Sequence, residues 1–218
     1  MFEVYKNVLK DWNETRFNLT AIKDDEGIAM KHFVDSLQIV RVMDMGARDL
    51  SLIDVGTGAG FPGLPLKIAF PHVNLVLTDS RKKKTFFLEV LLRKLVLNDV
   101  KVFNSRGEEL GKDPNFREHF NLVVMRELGQ IPLNVEIGLP LLQLRGALVL
   151  WKGRVGVESI KEHEQFIDML GGWIERVESY SFDDVERFVI LIRKYKETPP
   201  KYPRSYSAMR RSLRKSEI

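Results

Sequence analysis

Apolar positions change their rhythm once along the chain. Up to about residue 45 they recur at helical spacing: Phe2, Tyr5, Val8, Leu9 and Trp12 form one stripe, and Ile28, Met30, Phe33, Leu37 and Val40 a second. A polar, turn-rich stretch over residues 13–25 separates the two. From residue 51 the pattern becomes short, solid apolar runs at 51–55, 74–78, 100–104, 121–125 and 147–151, bounded by Gly, Asp, Asn or Arg. Runs rich in Val, Leu and Ile predict strands covered on both faces, because alternation appears only where one face meets water. Amphipathic segments at 62–70, 82–97, 131–142 and 156–170 lie between or after these runs and predict helices. In the second of them Phe86, Phe87, Val90, Leu91, the stem of Lys94 and Leu95 share one side, with basic residues opposite. Two last runs, 173–182 and 187–195, flank Asp183-Asp184 and predict an antiparallel hairpin.

Strand–helix alternation that closes on a hairpin predicts an α/β fold: a central, mostly parallel sheet with an antiparallel edge and helices on its faces. The expected organisation is an N-terminal helical extension over residues 1–47, a Rossmann-like domain over 48–197 and a basic tail over 198–218. No internal repeat or low-complexity linker interrupts it.

Composition narrows the classes. With 218 residues, 44% of them hydrophobic, the chain can fill such a core unaided. It has no cysteine, which removes disulfides, thiolate metal sites and any reaction needing a Cys nucleophile, and which suits a reducing cytoplasm. Met1-Phe2-Glu3-Val4-Tyr5-Lys6 carries charges where a leader needs an apolar run. No apolar stretch approaches the roughly 20 residues of a membrane span. A cytoplasmic protein without membrane contact is expected.

The net charge of +4 is unevenly spread. Residues 193–218 hold nine basic residues (Arg193, Lys194, Lys196, Lys201, Arg204, Arg210, Arg211, Arg214 and Lys215) against two acidic ones, Glu197 and Glu217. That surplus exceeds the charge of the whole chain, so the body is slightly acidic. A near-neutral body with a basic end predicts a polyanionic partner, nucleic acid foremost; a solvated tail that only aids solubility is the plainer alternative. Lys201, Arg204, Arg210 and Arg211 alternate with Tyr202 and Tyr206, a mixture suited to gripping single-stranded RNA by its phosphates and bases. Lys82 and Lys83, within Arg81-Lys82-Lys83-Lys84, open a predicted helix where the dipole disfavours cations. A phosphate contact or a solvated helix end explains them equally.

The segment carrying most chemistry follows the first predicted strand: Asp54-Val55-Gly56-Thr57-Gly58-Ala59-Gly60-Phe61-Pro62-Gly63. In open parallel sheets ligands bind beyond the strands' carboxyl ends, at the switch point beside the first strand. Glycines there let backbone approach a ligand closely. Residues 58–63 also fit the G-x-G-x-x-G of dinucleotide enzymes. Asp54, two residues before Gly56, completes the D-x-G-x-G-x-G characteristic of methyltransferases, and a carboxylate there suits a cationic sulfonium better than a pyrophosphate. Asp79, ending the second strand, is placed to accept both hydroxyls of a ribose. S-adenosylmethionine is therefore the expected cofactor, and Gly56, Gly58 and Asp79 its first candidate contacts. The alternatives are an NAD(P)-dependent oxidoreductase using the same loop and a non-catalytic RNA-binding assembly factor. No Asn/Asp-Pro-Pro-Tyr/Phe follows Arg126 at the end of the fourth strand, which argues against exocyclic amines as methyl acceptors.

With further pieces the chain resembles the RsmG (glucose-inhibited division protein B) family over about residues 10–205. These are Trp12-Asn13, Asn18-Leu19-Thr20-Ala21-Ile22, Lys31-His32, Asp35-Ser36-Leu37, Asp79-Ser80 with Lys82-Lys83, Ser105-Arg106-Gly107-Glu108-Glu109, Arg126 and Lys152-Gly153. The resemblance implies a class I S-adenosylmethionine-dependent methyltransferase fold and methylation of guanine N7 in bacterial small-subunit (16S) ribosomal RNA. It implies cofactor contacts at Gly56, Phe61, Gly107, Glu108 and Arg126. The candidates for RNA contact are Lys82, Lys83, Lys152, Lys201, Arg204, Arg210 and Arg211, and the partner is the RNA or the small ribosomal subunit. The chain departs from the family at Glu127-Leu128, where small residues are usual, and at Ser205-Tyr206-Ser207-Ala208-Met209-Arg210-Arg211, where a Gly- and Pro-containing basic motif is common.

Guanine N7 has a lone pair and no proton, so such a reaction needs orientation rather than a base. No catalytic triad and no metal are expected, and the chain is expected to act as a monomer. Arg126 is a candidate positioning residue for the methionine carboxylate or the base, and a strand-end salt bridge is its other reading. His32 and Asp35, one helical turn apart, are expected to form a helix-surface hydrogen bond. His72, His119 and His163 lack metal-ligand spacing. Trp12, Trp151 and Trp173 are expected in the core.

Overall fold

The computed structural model describes residues 1–216, with side chains described through Leu213 in the last helix. The side chains of Arg214 and Lys215, and Glu217, all counted above in the basic tail, lie outside the described residues. Seven strands form one sheet in the order β3-β2-β1-β4-β5-β7-β6. They are β1 (Ser51–Val55), β2 (Asn74–Thr78), β3 (Lys101–Phe103), β4 (Phe120–Arg126), β5 (Leu142–Gly153), β6 (Gly172–Phe182) and β7 (Val185–Lys194). The first five pair in parallel, and β7 joins antiparallel to both β5 and β6.

The solid apolar runs follow from covering both faces. Leu52, Leu122, Val124, Val149 and Leu191 enter one core, while Ile53, Val123, Met125, Leu148, Leu150 and Ile190 enter the other. Each such side chain, fully buried, contributes about 1.5–3 kcal/mol. The hairpin turns on Asp183 and Asp184, both at positive φ (50° and 60°), as a two-residue turn matched to strand twist requires. β5 begins earlier than its apolar run, because its pairing with β4 shifts register between Phe120 and Leu122 around the exposed Gln143–Arg145 stretch.

On the first core lie α1 (Phe2–Thr15), α2 (Asp25–Ile28), α3 (Gly63–Ala69) and α4 (Lys82–Leu95). After α2 the chain continues as a π turn (Ala29–Val34) and a 3-10 turn (Leu37–Arg41), so the 3.6-residue period fails there. Ile39 is buried in place of the expected Val40, which is 56% exposed. On the second core lie α5 (Gly107–Leu110), α6 (Ile131–Gly138), α8 (Glu164–Met169) and α9 (Tyr206–Ser216). The helix expected over 156–170 is instead α7 (Arg154–Glu158), a 3-10 turn and α8, with the chain turning at Ser159 and Ile160 between them. Trp173, expected in the core, is 48% exposed on the edge strand β6.

The tail is docked on the body. Arg117 donates to the carbonyls of Gly111 (2.9 Å), Tyr202 (2.7 Å) and Thr198 (2.7 Å), and Thr198 donates to Leu170 O (2.8 Å). Tyr202 and Met209 are buried in the second core. Tyr202 is therefore packed inside, not presented to stack on a base.

Candidate active site

At the centre of the sheet β1 lies between β2 and β4, so the crossovers leave it in opposite directions and open a crevice at its carboxyl end. The loop after β1 turns through three left-handed glycines, Gly56 (φ 73°), Gly58 (φ 64°) and Gly60 (φ 102°). The amides of Gly56 and Thr57 donate to Thr78 O on β2 (2.9 and 3.0 Å). Asp54 builds the loop from within. Its Oδ2 accepts from the Thr57 hydroxyl (2.6 Å) and the Gly63 amide (2.8 Å), and burial pushes its carboxyl up to about 7. Asp54 thus holds the turn through its hydroxyl and amide partners.

Asp79, at the end of β2, accepts from the amides of Gly58 (3.1 Å) and Arg81 (2.8 Å). An ionised carboxylate offers about four acceptor sites, so capacity remains for a diol. Lys84, which the sequence groups with cations facing phosphate, instead reaches back over this turn. Its ammonium lies 3.8 Å from Asp79 Oδ2, and a Cβ on Gly58 would come within 3.2 Å of it. Gly107 opens α5, where a Cβ would meet Ile137 at 2.5 Å and Val55 at 2.7 Å, so close packing alone requires glycine there. Glu108 beside it is buried, 3.9 Å from Arg106. The ring of Phe61 is enclosed by the N-terminal extension, stacked on His32 (centroids 4.5 Å apart) and Tyr5 (5.2 Å).

Arg126 ends β4 with its guanidinium 5.1 Å from the Phe61 centroid. It pairs with Asp35 Oδ2 (2.8 Å) and meets His32 Nδ1 (3.1 Å). Asp35, wholly buried, also accepts from the Tyr180 hydroxyl (2.7 Å) and lies 3.4 Å from Arg187, while Trp151 Nε1 donates to its carbonyl (2.8 Å). Burial and the neighbouring Arg126 push His32 down to about 3, so its imidazole is neutral and Nδ1 accepts. The expected helix-surface pair of His32 and Asp35 is thus corrected. Both point inward as ligands of Arg126, because the extension packs on the sheet and the π turn redirects them.

Across the crevice, Glu127 (φ 57°) and Gly129 (φ 88°) bracket Leu128. A Cβ on Gly56 would lie 2.5 Å from Leu128 Cδ1, so this side chain covers the glycine turn. Asn134 Nδ2 donates to Leu128 O (2.9 Å), and the Lys152 ammonium donates to Gly129 O (2.5 Å) and to Asn134 Oδ1. Burial lowers Lys152 to about 8.

Of the basic residues counted toward the tail, several are matched by carboxylates of the body: Arg193 by Glu175, Lys194 by Glu118, Lys196 by Asp168 and Arg204 by Glu136. Arg204 is held by three contacts to Glu136, and Lys194 is fully buried. Lys82, Lys83, Lys201, Arg210 and Arg211 are exposed. Among the described residues no group of three or more His, Cys, Asp or Glu is arranged to hold a metal, and no helix is long and apolar enough to cross a membrane.

Strand order, antiparallel edge and the loop after β1 together define the class I methyltransferase fold. A solved structure of P. horikoshii TYW2 in complex with MeSAdo is similar with a TM-score of 0.59 at 12% identity, over 76% of this chain and 63% of that one. The profile of the rRNA small subunit methyltransferase G (GidB) family matches residues 1–186. The ribosomal RNA small subunit methyltransferases G of Acetivibrio thermocellus and Geobacillus kaustophilus are each 42% identical over 93% of this chain, covering 83% and 85% of theirs. The chain belongs to the rRNA small subunit methyltransferase G family. That membership does not favour the oxidoreductase or the non-catalytic assembly factor.

Proposed function

We propose that this protein transfers the methyl group of S-adenosylmethionine to N7 of a guanine in small-subunit ribosomal RNA, acting in the cytoplasm as a monomer without a metal. The observation that carries the reading is the three-glycine turn at the switch point, with the part-committed carboxylate of Asp79 beside it. These residues fit the cofactor. Gly56 and Gly58 present side-chain-free backbone, Asp79 has acceptor sites left for the ribose hydroxyls, and Gly107 and Glu108 stand at the next strand end for the adenine. Arg126 would serve the methionine carboxylate from the position in which Asp35 and His32 hold it, and Phe61 would bound the site from beneath. Leu128 lies against the Gly56 turn.

Bound there, the cofactor supplies an electrophilic methyl group. Guanine N7 brings a lone pair and no proton, so as methyl acceptor it would need no side chain to move a proton. What the chain contributes is alignment, worth up to several kcal/mol. Neutral His32 fits that role: it orients Arg126 and exchanges nothing. The exposed Lys82, Lys83, Lys201, Arg210 and Arg211 are the cations available to RNA phosphates, whereas Lys152 and Arg204 would act from paired positions.

The test is transfer of labelled methyl to undermethylated small subunits and to their naked RNA, with the product base identified by mass spectrometry. N7-methylguanine is expected. No label in either form of the RNA rejects the proposal.

A further inference from the structure

On the sheet face away from the N-terminal extension, a cavity of about 820 Å³ opens between α6, the carboxyl end of β5 and α9. Its volume falls within the roughly 300–1,000 Å³ of small-ligand sites. Its walls are largely apolar, built by Ile131, Leu133, Phe166, Met209 and Leu213. Glu136 and Arg204 also line it, spent on each other, as do Arg154, paired with Glu186, and Glu162 and His163. Lys152 is different. Its ammonium has three N–H groups, and it donates to two neutral acceptors, Gly129 O and Asn134 Oδ1, so one donor is left.

The cavity adjoins the methyl-donor turn. Gly129, whose carbonyl Lys152 holds, lines it, and the preceding residue is Leu128, which touches Gly56. On α9 the residues Met209, Ser212 and Leu213 face the cavity, while Arg210 and Arg211 are exposed and do not line it. An apolar floor beside an ammonium with a donor to spare matches a planar base that carries an acceptor oxygen.

We propose that this cavity seats the acceptor nucleotide, a purine bearing oxygen at C6 that lies on the apolar floor and accepts the third Lys152 N–H. Lysine cannot accept a hydrogen bond, so adenine, with an amino group at C6, lacks the contact to a C6 oxygen and binds more weakly. The proposal rests on the RNA methyltransferase reading and adds the place and the contact by which the base is recognised.

Calorimetry on the full chain with GMP, IMP and AMP tests it. GMP and IMP are expected to bind roughly 10- to 100-fold more tightly than AMP, the weight of one hydrogen bond from a charged donor. Lys152→Met keeps the apolar stem and should erase that preference while leaving AMP within about twofold. If Lys152 only clamps the Gly129 loop, the substitution weakens all three nucleotides alike and the proposal is overturned. Leu213→Trp fills the cavity from its partly buried rim, and Met209→Trp does so from the floor. Each should weaken GMP at least tenfold and cut subunit methylation, with S-adenosylhomocysteine affinity and Tm retained. GMP affinity and methylation unchanged in a folded Leu213→Trp chain overturn it as well. The two readings fail separately. Methylation with no response to Lys152 removes the cavity site alone, and a Lys152-dependent GMP preference without methylated RNA removes the RNA activity alone.

Discussion

The two loops that meet at the switch point are built by opposite means. The loop after β1 is held from nearby: Asp54 reaches three residues to Thr57 and nine to Gly63, and the adjacent strand β2 supplies Thr78 O. The end of β4 is held from afar. Asp35 lies 91 residues from Arg126, Tyr180 lies 145 from Asp35, and Trp151 lies 116 from it. One side of the crevice is a turn held mainly by its own residues and β2, with a tie from Tyr5 to Ala59 O, while the other exists only once the extension, the sheet and the edge hairpin have come together. The cofactor turn should therefore be the less sensitive of the two to damage elsewhere, whereas the Arg126 side should fail with any of its distant partners.

The largest effect expected from this contrast is at Asp35. Asp35→Ala leaves the buried guanidinium of Arg126, the Tyr180 hydroxyl and Arg187 without their shared acceptor. Removing one partner of a buried ion pair costs about 3–5 kcal/mol, because the remaining charge is uncompensated. Urea denaturation should show a loss of that order, and a loss under about 1 kcal/mol would mean that the β4 end does not depend on the extension.

The same contrast explains what could be read in advance. The cofactor turn is legible because its causes are local: glycines where φ is positive, an acid two residues earlier and a strand before them. The strands are legible because burial on both faces leaves solid apolar runs. His32 and Asp35 were misplaced because their direction is decided by a π turn and by Arg126, and helical periodicity carries neither. The tail's charge was read as free because nothing in Arg204 or Lys194 announces Glu136 or Glu118, which lie 68 and 76 residues away. Leu128 stands out in the sequence only as larger than the family's usual residue. Its seat on Gly56 is a tertiary fact.

A smaller and pH-dependent effect isolates the local side. The folded Asp54 carboxyl takes up its proton near pH 7 and the unfolded one near 3.8. Between those values the folded state binds more protons, so this group's contribution to stability is full below about pH 4 and is lost as pH rises through 7. At about 1.4 kcal/mol per pH unit, the change is on the order of 2–4 kcal/mol. His32 runs the other way, its contribution being lost as pH falls from 6.5 toward 3, but it is common to both chains in a comparison with Asp54→Asn. The stability of the wild type relative to Asp54→Asn should therefore be greater at pH 4.5 than at pH 7.5. A difference constant to within about 0.5 kcal/mol would show that Asp54 is not buried inside the turn as described.

The finest test compares two glycines at the two strand ends. At Gly60 (φ 102°) a Cβ would lie 2.5 Å from Tyr5 Oη and 2.7 Å from Leu64 Cδ1. Tyr5 Oη donates to Ala59 O, so the clash would fall on the bond that ties α1 to the turn. At Gly153, at the end of β5, φ is −84° and nothing lies within 4 Å of a Cβ. Gly60→Ala should cost about 1–3 kcal/mol, the range for an L residue held in a sparsely populated conformation, and should weaken S-adenosylhomocysteine binding. Gly153→Ala should change stability by less than about 0.5 kcal/mol in either direction, as an unstrained surface substitution does. Equal losses at the two positions would mean that the surroundings of Gly153 in the folded chain are not open as described.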